Sequence, residues 1–142
     1  MQIQKCKIGL DIGTKRIGIA KSDILGFLAS PVETYYRKGM NADTTYVASL
    51  VEKYDADTVV IGLPLKLSGE EGQSVDMVKK FAEALKVKTN AEIVFQDERL
   101  TTVSAERVLL EADMRRERRK EVIDSVASQF ILQAYLDKKQ KK

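Results

Sequence analysis

The segment Ile8-Gly9-Leu10-Asp11-Ile12-Gly13-Thr14-Lys15-Arg16-Ile17-Gly18-Ile19-Ala20 determines the fold class. Apolar residues alternate with glycine or polar residues on both sides of Gly13-Thr14-Lys15, which is the pattern of two strands joined by a turn. In the first strand Asp11 shares one face with Gly9, opposite the apolar residues. A glycine at such a position leaves room for another element or a ligand to approach. The segment predicts a hairpin that carries a carboxylate on the face next to this space.

The remaining sequence changes from strand periodicity to alternating helices and short strands. The predicted strands are 3–12, Arg16–Ala20, Phe27–Tyr36, Thr58–Gly62 and Ile93–Gln96. The predicted helices run over Asn41–Tyr54 with Asn41 or Asp43 as N-cap, over Ser74–Leu85, from Thr101 or Thr102 onward, and from about Lys120 to Asp137. Strand-helix-strand units require parallel pairing through right-handed crossovers. The order predicts one α/β domain over 1–142, with a mixed sheet, flanking helices and, because of Pro31, a third strand at an edge.

The composition excludes several classes of protein and of enzyme. The 142 residues include 44% hydrophobic and 32% charged residues, as in a folded domain of ordinary size. The chain has no histidine, which excludes a Ser-His-Asp triad and histidine-ligated zinc. No apolar run is long enough to span a bilayer, the N-terminus has a strand pattern rather than that of a signal peptide, and Cys6 is the only cysteine, within a core pattern. These features predict a cytoplasmic protein without a membrane partner.

Three acidic residues occupy positions where a charge is unusual. Asp11 ends an apolar strand, Glu98 follows another, and Asp124 lies at the edge of the apolar face of the last helix. A carboxylate removed from water is costly unless it is paired or binds a metal. The three together would form a divalent-metal site able to activate water. Strand alternation puts only one of Asp97 and Glu98 on the face of Asp11, and the residues alone leave open which.

Basic and hydroxyl side chains near these carboxylates are candidates for binding phosphate. The net charge of +3 permits a nucleic-acid partner without requiring one. The basic run 115–120 leads into the helix that carries Asp124, and the loop from Pro64 to Gln73 lies at an edge where it would gate a substrate or simply connect two elements. The candidate phosphate contacts are Thr14, Lys15, Arg16, Lys21, Arg99 and Thr102.

Four motifs together resemble the YqgF family of Holliday junction resolvases, also described as pre-16S rRNA nucleases. The motifs are Ile8–Asp23, Val60-Ile61-Gly62-Leu63-Pro64-Leu65, Asp97-Glu98-Arg99-Leu100-Thr101-Thr102 and Ile123-Asp124, in the order of the family and across nearly the whole chain. The paired alanines that usually follow the last aspartate are here Ala127 and Ser128, which still permit close helix packing.

The resemblance implies both a fold and a site. The fold is RNase H-like, with a mixed five-stranded sheet in the order 3-2-1-4-5. The implied site holds magnesium or manganese, with two metal ions, on Asp11, Glu98 and Asp124, and this choice favours Glu98 over Asp97. Lys15, Arg16 and Arg99 would then position the nucleic-acid backbone. The implied partner is nucleic acid, bound by a monomer or a homodimer.

Several functions agree with these residues. The leading hypothesis is a metal-dependent nuclease in 5′-end maturation of pre-16S rRNA, and the main alternative is a Holliday junction resolvase in DNA recombination and repair, which would act as a symmetric dimer. A second class is a nucleic-acid-binding module without catalysis. A third hypothesis takes Asp11-Ile12-Gly13-Thr14 as the phosphate loop of an actin-like kinase or chaperone ATPase, which would need two such domains where this chain has one.

Overall fold

The computed structural model describes residues 5–63, 73–97 and 116–140, without the side chains of 73–74, 116–125 and 140. Five strands and three helices lie within these ranges. The strands are β1 Lys7–Ile12, β2 Arg16–Ser22, β3 Ala29–Tyr36, β4 Thr58–Leu63 and β5 Glu92–Asp97. The helices are α1 Met40–Lys53, α2 Gln73–Lys86 and α3 Arg116–Gln140. The predicted helix that starts at Thr101 or Thr102 lies outside the described residues.

The strands form one mixed sheet in the order β3-β2-β1-β4-β5, as the family resemblance implied. The hairpins β1–β2 and β2–β3 are antiparallel, whereas β4 pairs in parallel with β1 and with β5. Pro31 lies in β3, at one edge of the described sheet, where a residue without an N–H donor is tolerated. Because β1 and β4 are central and parallel, their carboxyl ends point to the same sheet edge, where α/β proteins commonly bind ligands.

One face of the sheet is covered by α1 and α2. The even-numbered residues of β1 and the odd-numbered residues of β4 pack there against apolar side chains at helical spacing, for example Val47 and Leu50 of α1 and Phe81 of α2. Cys6, a core residue as predicted, is also buried. The residues of β4 are buried on both faces, as expected for an inner strand between two helical layers.

The opposite face is crossed by α3, which packs through Ala127, Ile131, Leu132 and Leu136. The closest approach is at Gly9, where a Cβ atom would lie 2.7 Å from Leu132 Cβ and 3.0 Å from the Ser128 carbonyl oxygen. Gly9 therefore provides the space predicted for an approaching element, and the element is α3. Among the described residues, no helix is long and apolar enough to cross a membrane.

Most element ends lie within a few residues of the predictions, and three of the differences have a clear structural reason. Phe27 and Leu28 precede β3 because their backbone N–H groups donate to the Asp23 carboxylate, which forms a turn instead of a strand. The first turns of α3 include residues 116–120 of the basic run, which precede the apolar periodicity and so gave no sequence signal for a helix start. Neither Asn41 nor Asp43 is the N-cap of α1, because Gly39 occupies that position.

The close contact at Gly9 predicts that one added methyl group destabilises the protein strongly. Gly9→Ala should lower the free energy of unfolding by about 1–3 kcal/mol, because the new methyl overlaps Leu132 and pushes α3 off the sheet. Urea unfolding at equilibrium measures this change. Ser30→Ala, at an exposed position of the edge strand, is the control and should leave the midpoint nearly unchanged. An unchanged midpoint in Gly9→Ala would contradict the close docking of α3.

Candidate active site

Asp11 stands on the α3 face of the central strand, surrounded by glycine. Gly9 and Gly13 flank it two residues away along the chain, and Gly18 is its direct partner in β2. The pair Leu10–Ile61 fixes the register with β4, so that Gly62 is the neighbour of Asp11 on the other side. The carboxylate is half-buried. Of these glycines, Gly9 lies under α3, and Gly18 and Gly62 are also buried. A ligand can therefore reach the Asp11 oxygens only through the part of this carboxylate that remains accessible.

Strand register separates Asp97 from Asp11. Asp97 pairs with Leu63, which packs against the core beneath α1 and α2, and Asp97 therefore belongs to that face of the sheet. Its neighbour Gln96 pairs with Gly62, on the same face as Asp11. Asp97 is therefore the member of the Asp97–Glu98 pair that does not share the face of Asp11. Glu98 itself lies outside the described residues.

The direction of α3 brings residue 124 toward the carboxyl end of β1. Ser128 and Leu132 meet Gly9, and Leu136 lies against Gly26, beyond the end of β2 that pairs with the start of β1. From Ser128 toward its N-terminus, α3 therefore runs toward Asp11. Residue 124 lies one helical turn before Ser128, on the same helical face. The side chain of Asp124 is not among those that the structure describes.

Within the described residues, no group of three or more cysteine, aspartate or glutamate side chains converges to hold a metal. Two of the three predicted ligands, Glu98 and the side chain of Asp124, are not among those residues. The structure thus describes one ligand position completely and the backbone of a second.

The β1–β2 turn is fixed from outside by Arg37. The Gly13 N–H donates to the Arg16 carbonyl at 2.8 Å, which closes the turn, and a Cβ at Gly13 would lie 3.0 Å from that same oxygen. The Arg37 N–H donates to the Lys15 carbonyl at 2.9 Å, and its guanidinium donates to the Gly13 carbonyl at 2.9 Å. These bonds hold the loop that follows Asp11 in one conformation.

Arg37 is in turn held by a fully buried carboxylate. Its Nε donates to Asp43 Oδ2 at 2.8 Å, and Asp43 Oδ1 accepts the Lys38 N–H at 2.8 Å. Burial by itself raises the pKa of the Asp43 carboxyl, but the hydrogen bond from Lys38 and the Arg37 guanidinium outweigh burial and hold this pKa below its usual value. Asp43 is therefore ionised at neutral pH and fixes the start of α1 to the β1–β2 turn.

The predicted phosphate contacts have different outcomes. Thr14 and Lys15 are exposed at the tip of the turn, and Arg16 is half-buried at the start of β2. Lys21 was also predicted to contact phosphate, and this prediction is wrong. Lys21 pairs with Ile8 and lies on the α1 and α2 face of the sheet, where its Nζ is 4.4 Å from the centre of the Tyr54 ring. Arg99, Thr102 and most of the loop from Pro64 to Gln73 lie outside the described residues.

Sequence reasoning missed two parts of the site. Arg37 gave no signal because its partners, Gly13 and Lys15, are more than twenty residues away. Gly62 appeared in a motif, but only the parallel register of β1 and β4 makes it a neighbour of Asp11.

The buried ion pair predicts a pH-dependent stability. Asp43→Asn should cost about 3 kcal/mol at pH 7, because Arg37 loses its buried anion. The folded pKa of Asp43 is lowered, so its contribution is fully present above the unfolded pKa of about 4 and is lost as pH falls through the folded value. Urea unfolding at pH 7 and at pH 3 should show a stability gap between wild type and variant that narrows in acid. A gap of constant size would contradict this role.

Comparisons with known proteins identify the family of this chain. A family model described as "RuvX: Holliday junction resolvase" matches residues 5–138. A protein of Halalkalibacterium halodurans named "Putative pre-16S rRNA nuclease" is 49% identical over 137 residues, which cover 95% of this chain and 98% of the relative. A protein of the same name from Moorella thermoacetica is 47% identical over 131 residues, which cover 92% of this chain and 94% of the relative.

Two solved resolvases share the fold. Thermus thermophilus RuvC, in complex with a Holliday junction substrate, aligns with a TM-score of 0.60 over 96% of both chains, at 10% identity. The Holliday junction resolvase of fowlpox virus aligns with a TM-score of 0.55 over 94% of this chain and 99% of that chain, at 13% identity. At these identities the likeness demonstrates the RNase H-like fold alone. The family model, which matches nearly the whole chain, and relatives close to half identical establish that this chain belongs to the RuvX (YqgF) family.

Proposed function

We propose that this chain is a divalent-metal-dependent nuclease that cleaves structured nucleic acid in the 5′-end maturation of pre-16S rRNA. The observation that carries the proposal is the half-buried Asp11 carboxylate, on the central strand and next to glycine on every side. The relatives named for rRNA cleavage support the substrate. We also propose that residues 1–142 form one nuclease domain and that it acts in the cytoplasm.

The proposed metal ligands are Asp11, Glu98 and Asp124, all of which offer carboxylate oxygen. Oxygen ligands suit magnesium and manganese, and the half-buried carboxylate of Asp11 is still partly accessible to an ion. When bound, a pair of such ions would supply an activated water and neutralise charge on the leaving oxygen. Since the chain contains no histidine, carboxylates are its best means of holding this water in position.

The β1–β2 turn would hold the substrate backbone beside these carboxylates. Lys15 is exposed at its tip and Arg16 stands at the start of β2, so both can neutralise phosphates next to the bond that is cut. Thr14 adds a hydroxyl, and Arg99 and Thr102 are proposed contacts from the segment after β5. Because Arg37 fixes the turn, these groups need little reorganisation when the substrate binds.

The second candidate function is Holliday junction resolution, which the description of the matching family model favours. A resolvase makes two symmetric cuts, so this function requires a homodimer, whereas rRNA trimming is open to a monomer. A nucleic-acid-binding module without catalysis is the third candidate. It would bind its target equally well with and without metal.

The test is a cleavage assay with precursor 16S rRNA and a synthetic four-way junction, each in magnesium, in manganese and with chelator. Asp11→Asn should lower the cleavage rate at least about 100-fold while the free energy of unfolding changes little, because the variant removes charge but keeps shape. Asp137→Asn, an exposed aspartate at the other end of α3, is the matched control and should cut normally.

The preferred substrate distinguishes the candidates. Faster cutting of the rRNA supports the proposed maturation role, and faster cutting of the junction supports the resolvase. Full activity of Asp11→Asn, or cleavage that persists with chelator, would contradict the metal site.

A further inference from the structure

The face of the sheet that carries Asp11 also carries an exposed aromatic ring, that of Tyr36. Tyr36 ends β3 and is 52% exposed. The preceding residue, Tyr35, stacks on Tyr46 of α1, so it belongs to the α1 face of the sheet. Alternation along the strand therefore puts Tyr36 on the opposite face, the one that carries Asp11.

The sheet register links this ring to the candidate active site. Asp11 pairs with Gly18, which pairs with Thr34, and all three lie in one row across the strands. The next row toward the carboxyl end of β3 holds Arg16 beside Tyr36. Two strand spacings and two residues separate Asp11 from Tyr36, or roughly 12 Å between the Cα atoms. Arg16 stands between them, on the same face.

The side chains on this face reach solvent to different extents. Asp11 and Arg16 are half-buried, and Gly18, which pairs with Asp11, is buried. The adjacent turn exposes Lys15. The surface therefore presents, in order, a carboxylate for a metal, two cations for phosphate and an aromatic face. This is the arrangement that single-stranded nucleic acid requires, since its phosphates need positive charge and its unpaired bases need a ring to stack on.

We propose that Tyr36 is a stacking platform for an unpaired base of the substrate, close to the phosphate that is cut, with Arg16 holding the phosphate between them. The proposal rests on the nuclease function above and names its substrate class as a strand with at least one unstacked nucleotide beside the cleavage point. Tyr36 is a positioning and specificity residue. A fully paired duplex cannot present such a base without being opened.

The experiment compares Tyr36→Ala with Tyr36→Phe, which keeps the ring. On a single-stranded RNA that spans the cleavage site, Tyr36→Ala should raise KM about 5- to 100-fold with kcat within about threefold, because one stacked base is lost. Tyr36→Phe should restore KM to within about threefold. Phe95→Ala removes a ring that is 42% exposed on the other face and should change neither constant. Tyr36→Thr, which keeps a strand-forming residue, serves if the alanine variant unfolds.

A binding measurement separates this inference from the proposed function. Fluorescence of 2-aminopurine within single-stranded RNA or DNA is recorded with chelator present, so that no cleavage is needed. Quenching by wild type and Tyr36→Phe, but not by Tyr36→Ala, supports the platform even if no substrate is cut. A comparison of the RNA and DNA strands shows which source of unpaired base binds more tightly. Equal quenching and equal KM in Tyr36→Ala and wild type would overturn the inference, as would an equal loss in Tyr36→Phe.

Discussion

The close contact between α3 and β1 at Gly9 is the constraint on which the candidate site depends. A side chain at this position would overlap Leu132 Cβ, and only glycine allows the helix to lie directly on the central strand. The contact fixes the distance between α3 and the sheet, and together with the contact between Leu136 and Gly26 it defines the direction of α3. It therefore determines where residue 124 lies along the sheet, one turn from Ser128 and toward Asp11. The small residues Ala127 and Ser128, both buried, serve the same close approach from the helix side.

A second constraint holds the other side of the site. The Arg37–Asp43 ion pair is almost entirely removed from water and connects three elements, the β1–β2 turn, the end of β3 and the start of α1. Buried ion pairs often add little net stability, because desolvation opposes the attraction. Here the guanidinium also donates to a backbone carbonyl of the turn. The main effect of the ion pair is therefore to fix the position of the turn. The loop that presents Lys15 and Arg16 is thereby positioned without a contact from the substrate.

The sequence was most informative where the signal is local. Alternation in β1 and β2, helical spacing in α1 and α2, and Pro31 at the edge were all read correctly, because each depends on neighbours a few residues away. The strand order came from the family resemblance, since periodicity does not determine which strands are adjacent. The start of β3 was placed two residues early, because the turn is closed by the Asp23 side chain rather than by glycine or proline.

The site could be predicted only in part for the same reason. Asp11 and its glycines along the chain were visible as a motif, whereas Gly62 and Arg37 join the site through register and tertiary contact. The residues alone left open whether Asp97 or Glu98 faces Asp11, and the family resemblance favoured Glu98. The pairing of β4 with β5 adds that Asp97 lies on the face away from Asp11. Glu98 and Asp124 as ligands remain predictions from motif and position.

The central claim is that Asp11, Glu98 and Asp124 bind metal together. The most direct test measures the affinity for manganese by electron paramagnetic resonance. Each of Asp11→Asn, Glu98→Gln and Asp124→Asn should weaken binding at least about tenfold, because each removes a charged oxygen ligand. Asp97→Asn removes a carboxylate one residue from Glu98 but on the other face, and it should bind manganese as wild type does. Unchanged binding in the three ligand variants, or a loss confined to Asp97→Asn, would contradict the account.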